Sequence, residues 1–181
     1  RFRQIGPKVL LTVDGYRYRG RDFSLIEALA DVQEQLQMLE HTVVASYLSA
    51  TPELDGLRDT MSWDDLHRGG DGMVFEPVPF DHPLWVLYSS GTTGLPKPIV
   101  HGHGGVLIEH FKAIALHMDL GEEDCFFWFT TTGWMMWNFL LSGLLVGSTI
   151  VVYDGSPAYP DLSALWRVAE RTKIPGFGVS A

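Results

Sequence analysis

The stretch Ser24-Leu25-Ile26-Glu27-Ala28-Leu29-Ala30-Asp31-Val32-Gln33-Glu34-Gln35-Leu36-Gln37-Met38-Leu39-Glu40-His41-Thr42-Val43-Val44-Ala45-Ser46-Tyr47-Leu48 changes its period once. Leu25, Leu29, Val32, Leu36 and Leu39 recur at i, i+4, i+7, i+11 and i+14, which is one apolar stripe of a helix. Ser24 stands three residues before Glu27, a capping-box spacing, and predicts the helix start. Thr42 to Leu48 is β-branched and apolar and predicts a strand. Upstream, Pro7 to Thr12 predicts a short buried strand, and Asp14-Gly15 a turn. Tyr16 and Tyr18 then alternate with Arg17 and Arg19, as on a half-exposed strand. Strand, helix, strand in this order has its usual home in a parallel sheet.

The alternation resumes downstream. Leu84 to Tyr88 predicts a strand, Ser89 to Pro98 a Gly-rich loop, and Ile99 to His101 a short strand. Gly104-Gly105 precede a helix carrying Leu107, Phe111, Ile114 and Met118 on one face. Phe126 to Phe129 is a strand, Trp134 to Val146 a helix with Gly147 as its C-cap, and Thr149 to Tyr153 a strand. Asp161 can cap a last helix through Thr172, and Gly176 to Val179 begins another strand. The fold class is α/β, with mostly parallel sheets flanked by helices. Residues 1–48 form a first α/β segment, 49–83 a connecting segment and 84–181 a second α/β segment. Residues 49–83 hold eight acidic side chains and a single helical turn at Ser62 to Leu66. A surface connection and irregular packing within one domain fit that stretch equally.

The chain has 181 residues, about one domain's worth, and 46% of them are hydrophobic, enough for a core. The net charge of −9 argues against a general nucleic-acid binder, which needs basic faces against phosphates. One cysteine, Cys125, excludes an intrachain disulfide framework and suits a reducing, cytoplasmic compartment. No signal peptide opens the chain, which reads as an interior piece of a longer protein. Trp134 to Tyr153 is uncharged and could span ~30 Å of hydrocarbon as a helix. Acidic flanks (Glu122, Glu123, Asp124, Asp154), with Gly143, Gly147 and Ser148 inside or beside the run, favour a buried helix followed by a buried strand.

Chemistry concentrates in Tyr88-Ser89-Ser90-Gly91-Thr92-Thr93-Gly94-Leu95-Pro96-Lys97-Pro98. Four hydroxyls, two glycines and one ammonium follow an apolar strand. Glycines let main-chain N–H groups approach a ligand, and with hydroxyls and a point charge they suit a polyphosphate. Lys97 is the one Lys or Arg between Gly69 and Glu109, so it belongs to no general basic field. The spacing is not that of a Walker A loop, which needs four residues between its glycines and then Lys-Ser/Thr. The competing reading is a polar turn without a ligand, for which this composition is excessive. His101 and His103, two apart, would share a strand face, and His110 and His117 a helix face. Neither pair has partners that complete a metal set, so no protein-held metal is expected.

Tyr88 to Pro98 resembles the phosphate-binding motif of the adenylate-forming superfamily, which includes acyl-CoA synthetases, luciferases and peptide-synthetase adenylation domains. Pro79-Phe80-Asp81-His82-Pro83-Leu84-Trp85, Lys97 to Gly105, and Thr130-Thr131-Thr132-Gly133-Trp134-Met135-Met136-Trp137-Asn138 resemble its acetoacetate-activating branch. Pro7 to Leu10 and Asp14 to Tyr18 fit the earlier region of that branch. The resemblance implies part of the large N-terminal adenylation (AMP-binding) domain. It implies an ATP-dependent acid–thiol ligase that makes an acyl-adenylate from acetoacetate and passes the acyl group to coenzyme A, a step in ketone-body use. Ser89, Ser90, Gly91, Thr92, Thr93, Gly94 and Lys97 would hold the ATP phosphates. Trp134, Met135, Met136 and Trp137 would line a short acyl pocket, with ordinary core as the alternative. Mg2+ would be held mainly through the phosphates and by residues outside this chain. The superfamily's later acidic motif, ribose-binding aspartate, hinge and C-terminal lysine have no counterpart in these residues, so the 181 residues alone are expected to be inactive. The remainder of the protein would be their partner. Acetate or propionate activation in the same superfamily, and a non-catalytic ATP-binding module, are the alternatives.

Overall fold

The computed structural model describes residues 1–67, 72–90 and 94–179. The chain divides into two compact units, Arg1–Glu76 and Pro77–Ala181.

In the first unit, β1 (Val9–Val13), β4 (His41–Ala45) and β5 (Thr60–Ser62) make a parallel sheet in the order β1-β4-β5. Helix α1 (Ile26–Gln35) is the crossover between β1 and β4, as the change of period predicts. Between β1 and α1, β2 (Gly15–Tyr18) and β3 (Arg21–Ser24) form an antiparallel hairpin. Ser24 therefore ends a strand rather than opening the helix; Leu25 takes the N-cap position, and the Ile26 N–H reaches Ser24 Oγ at 3.4 Å. The apolar stripe outlasts the helix: Leu36 and Leu39 are buried in the turn after α1. Because β1 is an edge strand, Val9 and Leu11 are exposed where burial was expected.

Two buried polar groups tie this unit together. Gln33 donates to Thr42 Oγ1 at 2.8 Å and to the Arg58 carbonyl at 2.8 Å, and its Oε1 accepts the Arg58 N–H at 2.8 Å. The amide thus pins β5 beside β4, a strand that short polar residues conceal from periodicity. Helix α2 (Trp63–His67) follows at the predicted helical turn.

The second unit opens with β6 (Pro83–Ser89) and β7 (Lys97–Gly102), paired antiparallel with Ser89 opposite Lys97. Helix α3 (His103–Phe111) takes in Gly104 and Gly105, expected to precede it, and continues as a π-helix over Lys112–His117. The π turn advances the helical register, so Ile114 is fully buried while Leu107 and Phe111 face out. The predicted face is in this respect wrong.

A second parallel sheet follows the expected order. Its strands are β8 (Cys125–Trp128), β9 (Thr149–Val151) and β10 (Gly176–Gly178), arranged β10-β8-β9. Helix α4 (Met135–Leu141) and the 3-10 turn Ser142–Val146 cross from β8 to β9; α5 (Ala164–Thr172) crosses from β9 to β10. Gly147, at φ 80°, ends the first crossover in the left-handed region, as a C-cap glycine should. Ile114, Leu120, Phe126 and Leu140 form the core, with Trp137 and Phe139 packed against it. Among the described residues no helix is long and apolar enough to cross a membrane, and Trp134 to Tyr153 divides into helix, turn and strand.

Candidate functional site

The β6/β7 hairpin explains how the Gly-rich loop is presented. Directly opposed residues of an antiparallel pair project to the same face, with Cβ atoms ~5 Å apart. The Ser89–Lys97 pair therefore sets a hydroxyl and an ammonium together at the hairpin's loop end. Pro98, which lacks an N–H, lies opposite Tyr88 on β7, and the two-stranded sheet contains no central strand whose ladder it would break. Lys97 is exposed and makes no ion pair among the described residues. Gly94 has φ 147°, a conformation that side chains avoid, yet nothing lies within 4 Å of where its Cβ would stand. Its glycine answers to backbone conformation and open space, as at a surface a ligand approaches. Leu95, fully in the loop, is 78% exposed. Ser90 is exposed as well. Gly91, Thr92 and Thr93 lie outside the described residues.

A second feature sits at the carboxyl ends of β8 and β10, where α/β sheets place their ligands. An open cleft of ≈ 500 Å³ is lined by Phe129, Thr130, Thr131, Trp134, Pro157, Leu165 and Val179. The Phe129 N–H donates to the Gly178 carbonyl at 2.8 Å, tying the two strand ends. The Trp134 N–H donates to the Thr131 carbonyl at 3.1 Å, which folds the Thr-Thr-Thr-Gly run into the turn before α4. Of the four residues expected around an acyl group, Trp134 lines this cleft, half-exposed. Trp137 packs on the Ile114–Phe126–Leu140 core. Met135 is exposed and Met136 half-buried at the start of α4. Phe129 adjoins the quoted motif, and Thr130 and Thr131 belong to it. Pro157, Leu165 and Val179 carry no local signal, because the β9–α5–β10 crossover brings them in.

The histidines serve the fold. His103 begins α3 rather than sharing a strand face with His101, and its Nδ1 lies 2.8 Å from the His82 carbonyl. A carbonyl only accepts, so that Nδ1 carries the proton. His101 Nδ1 accepts the Trp85 indole N–H at 3.2 Å. His110 Nδ1 is 2.6 Å from Ser142 Oγ, whose own proton goes to the Asn138 carbonyl at 2.9 Å. The imidazole is therefore the donor, with its free lone pair on Nε2. Burial pushes His110 below its ordinary value; Glu109 opposes the shift and His101 adds to it. His101, Glu109 and His110 help line a cavity of ≈ 320 Å³. Among the described residues no group of three or more His, Cys, Asp and Glu side chains could hold a metal ion.

Comparison with known proteins places the chain in a family. The family model described as AMP-binding enzyme matches residues 1–179. The acetoacetyl-CoA synthetase of Gallus gallus is 39% identical over 188 residues, covering 100% of this chain and 28% of that protein. The acetoacetyl-coenzyme A synthetase of Rhizobium meliloti (strain 1021) is 41% identical over 185 residues, again covering 100% of this chain and 28% of that protein. The solved acetoacetyl-CoA synthetase from Streptomyces lividans superposes with a TM-score of 0.91 at 52% identity, covering 99% of this chain and 27% of that one. The chain thus spans little more than a quarter of the length of the relatives it matches.

Proposed function

The chain belongs to the AMP-binding enzyme family, and from that premise we propose that it forms the phosphate-gripping and acyl-lining part of a longer acetoacetate–CoA ligase. The observation that carries this reading is the Ser89–Lys97 pair at the mouth of a Gly/Ser/Thr loop. In support stand similarity along this whole chain to about a quarter of the length of acetoacetyl-CoA synthetases and the apolar cleft beside Trp134.

In the first step an acetoacetate carboxylate oxygen attacks the α-phosphorus of ATP. A C(O)–O–P bond forms, the bond to the β-phosphate oxygen breaks, and pyrophosphate leaves. Negative charge grows on that leaving group, so donors fixed in advance around the β- and γ-phosphates lower the barrier. Lys97 supplies one such charge, and Ser89 and Ser90 supply hydroxyl donors. Gly91, Thr92, Thr93 and Gly94 extend the grip through hydroxyls and main-chain N–H groups. In the second step the thiol sulfur of coenzyme A attacks the acyl carbon. AMP leaves and the thiol proton passes to solvent. Mg2+, when bound, neutralises phosphate charge; the described residues form no site of their own for it. The Trp134 wall is compatible with a short acyl chain, and the single cysteine fits a cytoplasmic setting.

The test uses the full-length protein that carries this chain. It should release pyrophosphate from ATP only when acetoacetate is present, and the 181 residues alone should release none. Lys97→Ala should slow adenylate formation about 10²-fold, the scale of losing one donor at a developing charge. An unchanged rate in that variant would remove the phosphate role.

A further inference from the structure

We propose that Thr131 reads the 3-keto oxygen of the acyl substrate, so that its hydroxyl sets the preference for a 3-keto acid over the saturated acid of the same length. The inference rests on the acetoacetate reading above and names the group that enforces it.

The cleft at the carboxyl ends of β8 and β10 is mostly apolar, walled by Phe129, Trp134, Pro157, Leu165 and Val179. Its polar side-chain groups are the hydroxyls of Thr130 and Thr131 and the indole N–H of Trp134. A ketone oxygen only accepts hydrogen bonds, so its reader must have a proton to give. Thr130 does not: its Oγ1 donates that proton to the Thr131 carbonyl at 3.2 Å, leaving lone pairs that repel a ketone. The Thr131 carbonyl is also taken by the Trp134 N–H. That double anchorage holds the Thr131 backbone in place, while its own hydroxyl bonds to no described residue and keeps its proton free. The Trp134 ring supplies the flat wall against the acyl carbons. Thr131 is exposed in the free chain, so a saturated acid that covers it strips water from the donor and leaves it without a partner, and that is how a site rejects a near-isostere. A pocket built from apolar groups alone separates such a pair poorly.

The experiment compares acetoacetate with butyrate in the full-length enzyme, wild type and three variants, by pyrophosphate release. Thr131→Val keeps the shape and removes the donor. It should raise the KM for acetoacetate about tenfold and lower that for butyrate, which no longer strands a donor. Thr131→Ser restores the hydroxyl and should keep the wild-type ratio, which a merely structural role would not require. Trp134→Phe removes the indole proton and should also keep the ratio. The proposal is overturned if Thr131→Val leaves the acetoacetate-to-butyrate ratio intact, if it depresses both acids equally, or if Trp134→Phe alone collapses the ratio. A wild-type enzyme that ignores acetoacetate altogether overturns the functional reading itself, a result distinct from these.

Discussion

Asp14 shows how much one side chain carries. Its carboxylate is buried between β1 and β2 and accepts the N–H groups of Tyr47 at 2.8 Å, Leu48 at 3.0 Å and Ser49 at 2.8 Å. Burial works against the charge, but the main-chain donors of Leu48, Ser49 and Tyr47 together outweigh it, and the group titrates below its ordinary 3.8. A carboxyl held low in the folded state binds fewer protons there than in the unfolded chain. Its stabilisation is therefore complete above 3.8 and disappears as pH falls through the folded value. Asp14→Asn puts an NH2 group against those donors and should cost about 2–3 kcal/mol near neutral pH, judged from hydrogen bonds to charged groups. In urea melts the gap between wild type and variant should narrow by pH 3, because only the wild type loses the Asp14 contribution. A gap of equal size at both pH values would contradict a charged Asp14 as the clasp.

At the scale of elements, close approach decides where small residues stand. A Cβ on Gly143 would lie 2.9 Å from Phe126 and 2.9 Å from Ile150, so the 3-10 turn can rest on the sheet only without a side chain. Phe126 is fully buried and has nowhere to move. Gly143→Ala should therefore overpack the core and cost about 1–3 kcal/mol, read as a lower denaturation midpoint with an unchanged slope. A variant as stable as wild type would mean that the turn shifts freely. Elements with one clear period were legible in advance: the β8–α4–β9 crossover, its Gly147 cap, and the β1–α1–β4 unit. Those set by partners were not. Arg21-Asp22-Phe23 carries no strand period of its own and becomes one by pairing with β2, and Leu107 and Phe111 look buried until a π turn rotates the register. The candidate site divides in the same way. Lys97 and Trp134 were legible because hydroxyls, glycine and aromatics cluster in sequence. Leu165 and Val179 were not, since only the crossover delivers them to the cleft.

For the molecule as a whole, charge and apolar surface pull in opposite directions. The net charge of −9 should keep copies apart in dilute salt. Yet the π turn leaves a continuous apolar face on the second unit, a shallow groove of ≈ 470 Å³ lined by Leu107, Ile108, Phe111, Lys112, Leu116 and Leu145. Leu116 is 74% exposed and Ile108 63%, well beyond what scattered surface leucines require. Raising ionic strength from 0.01 to 1 M shortens the screening length from ~30 to ~3 Å, which removes the repulsion and leaves the apolar attraction. The 181-residue chain should therefore bind an environment-sensitive apolar dye at all salt concentrations and sediment as larger species as salt rises. Ile108→Glu combined with Leu116→Glu should lower the dye signal and abolish the salt-driven association without lowering the unfolding midpoint, because neither side chain reaches the Ile114 core. If the double variant still binds dye as strongly as wild type, the exposed hydrophobic surface lies elsewhere, and the outward turn of Leu107 and Phe111 would have no consequence in solution.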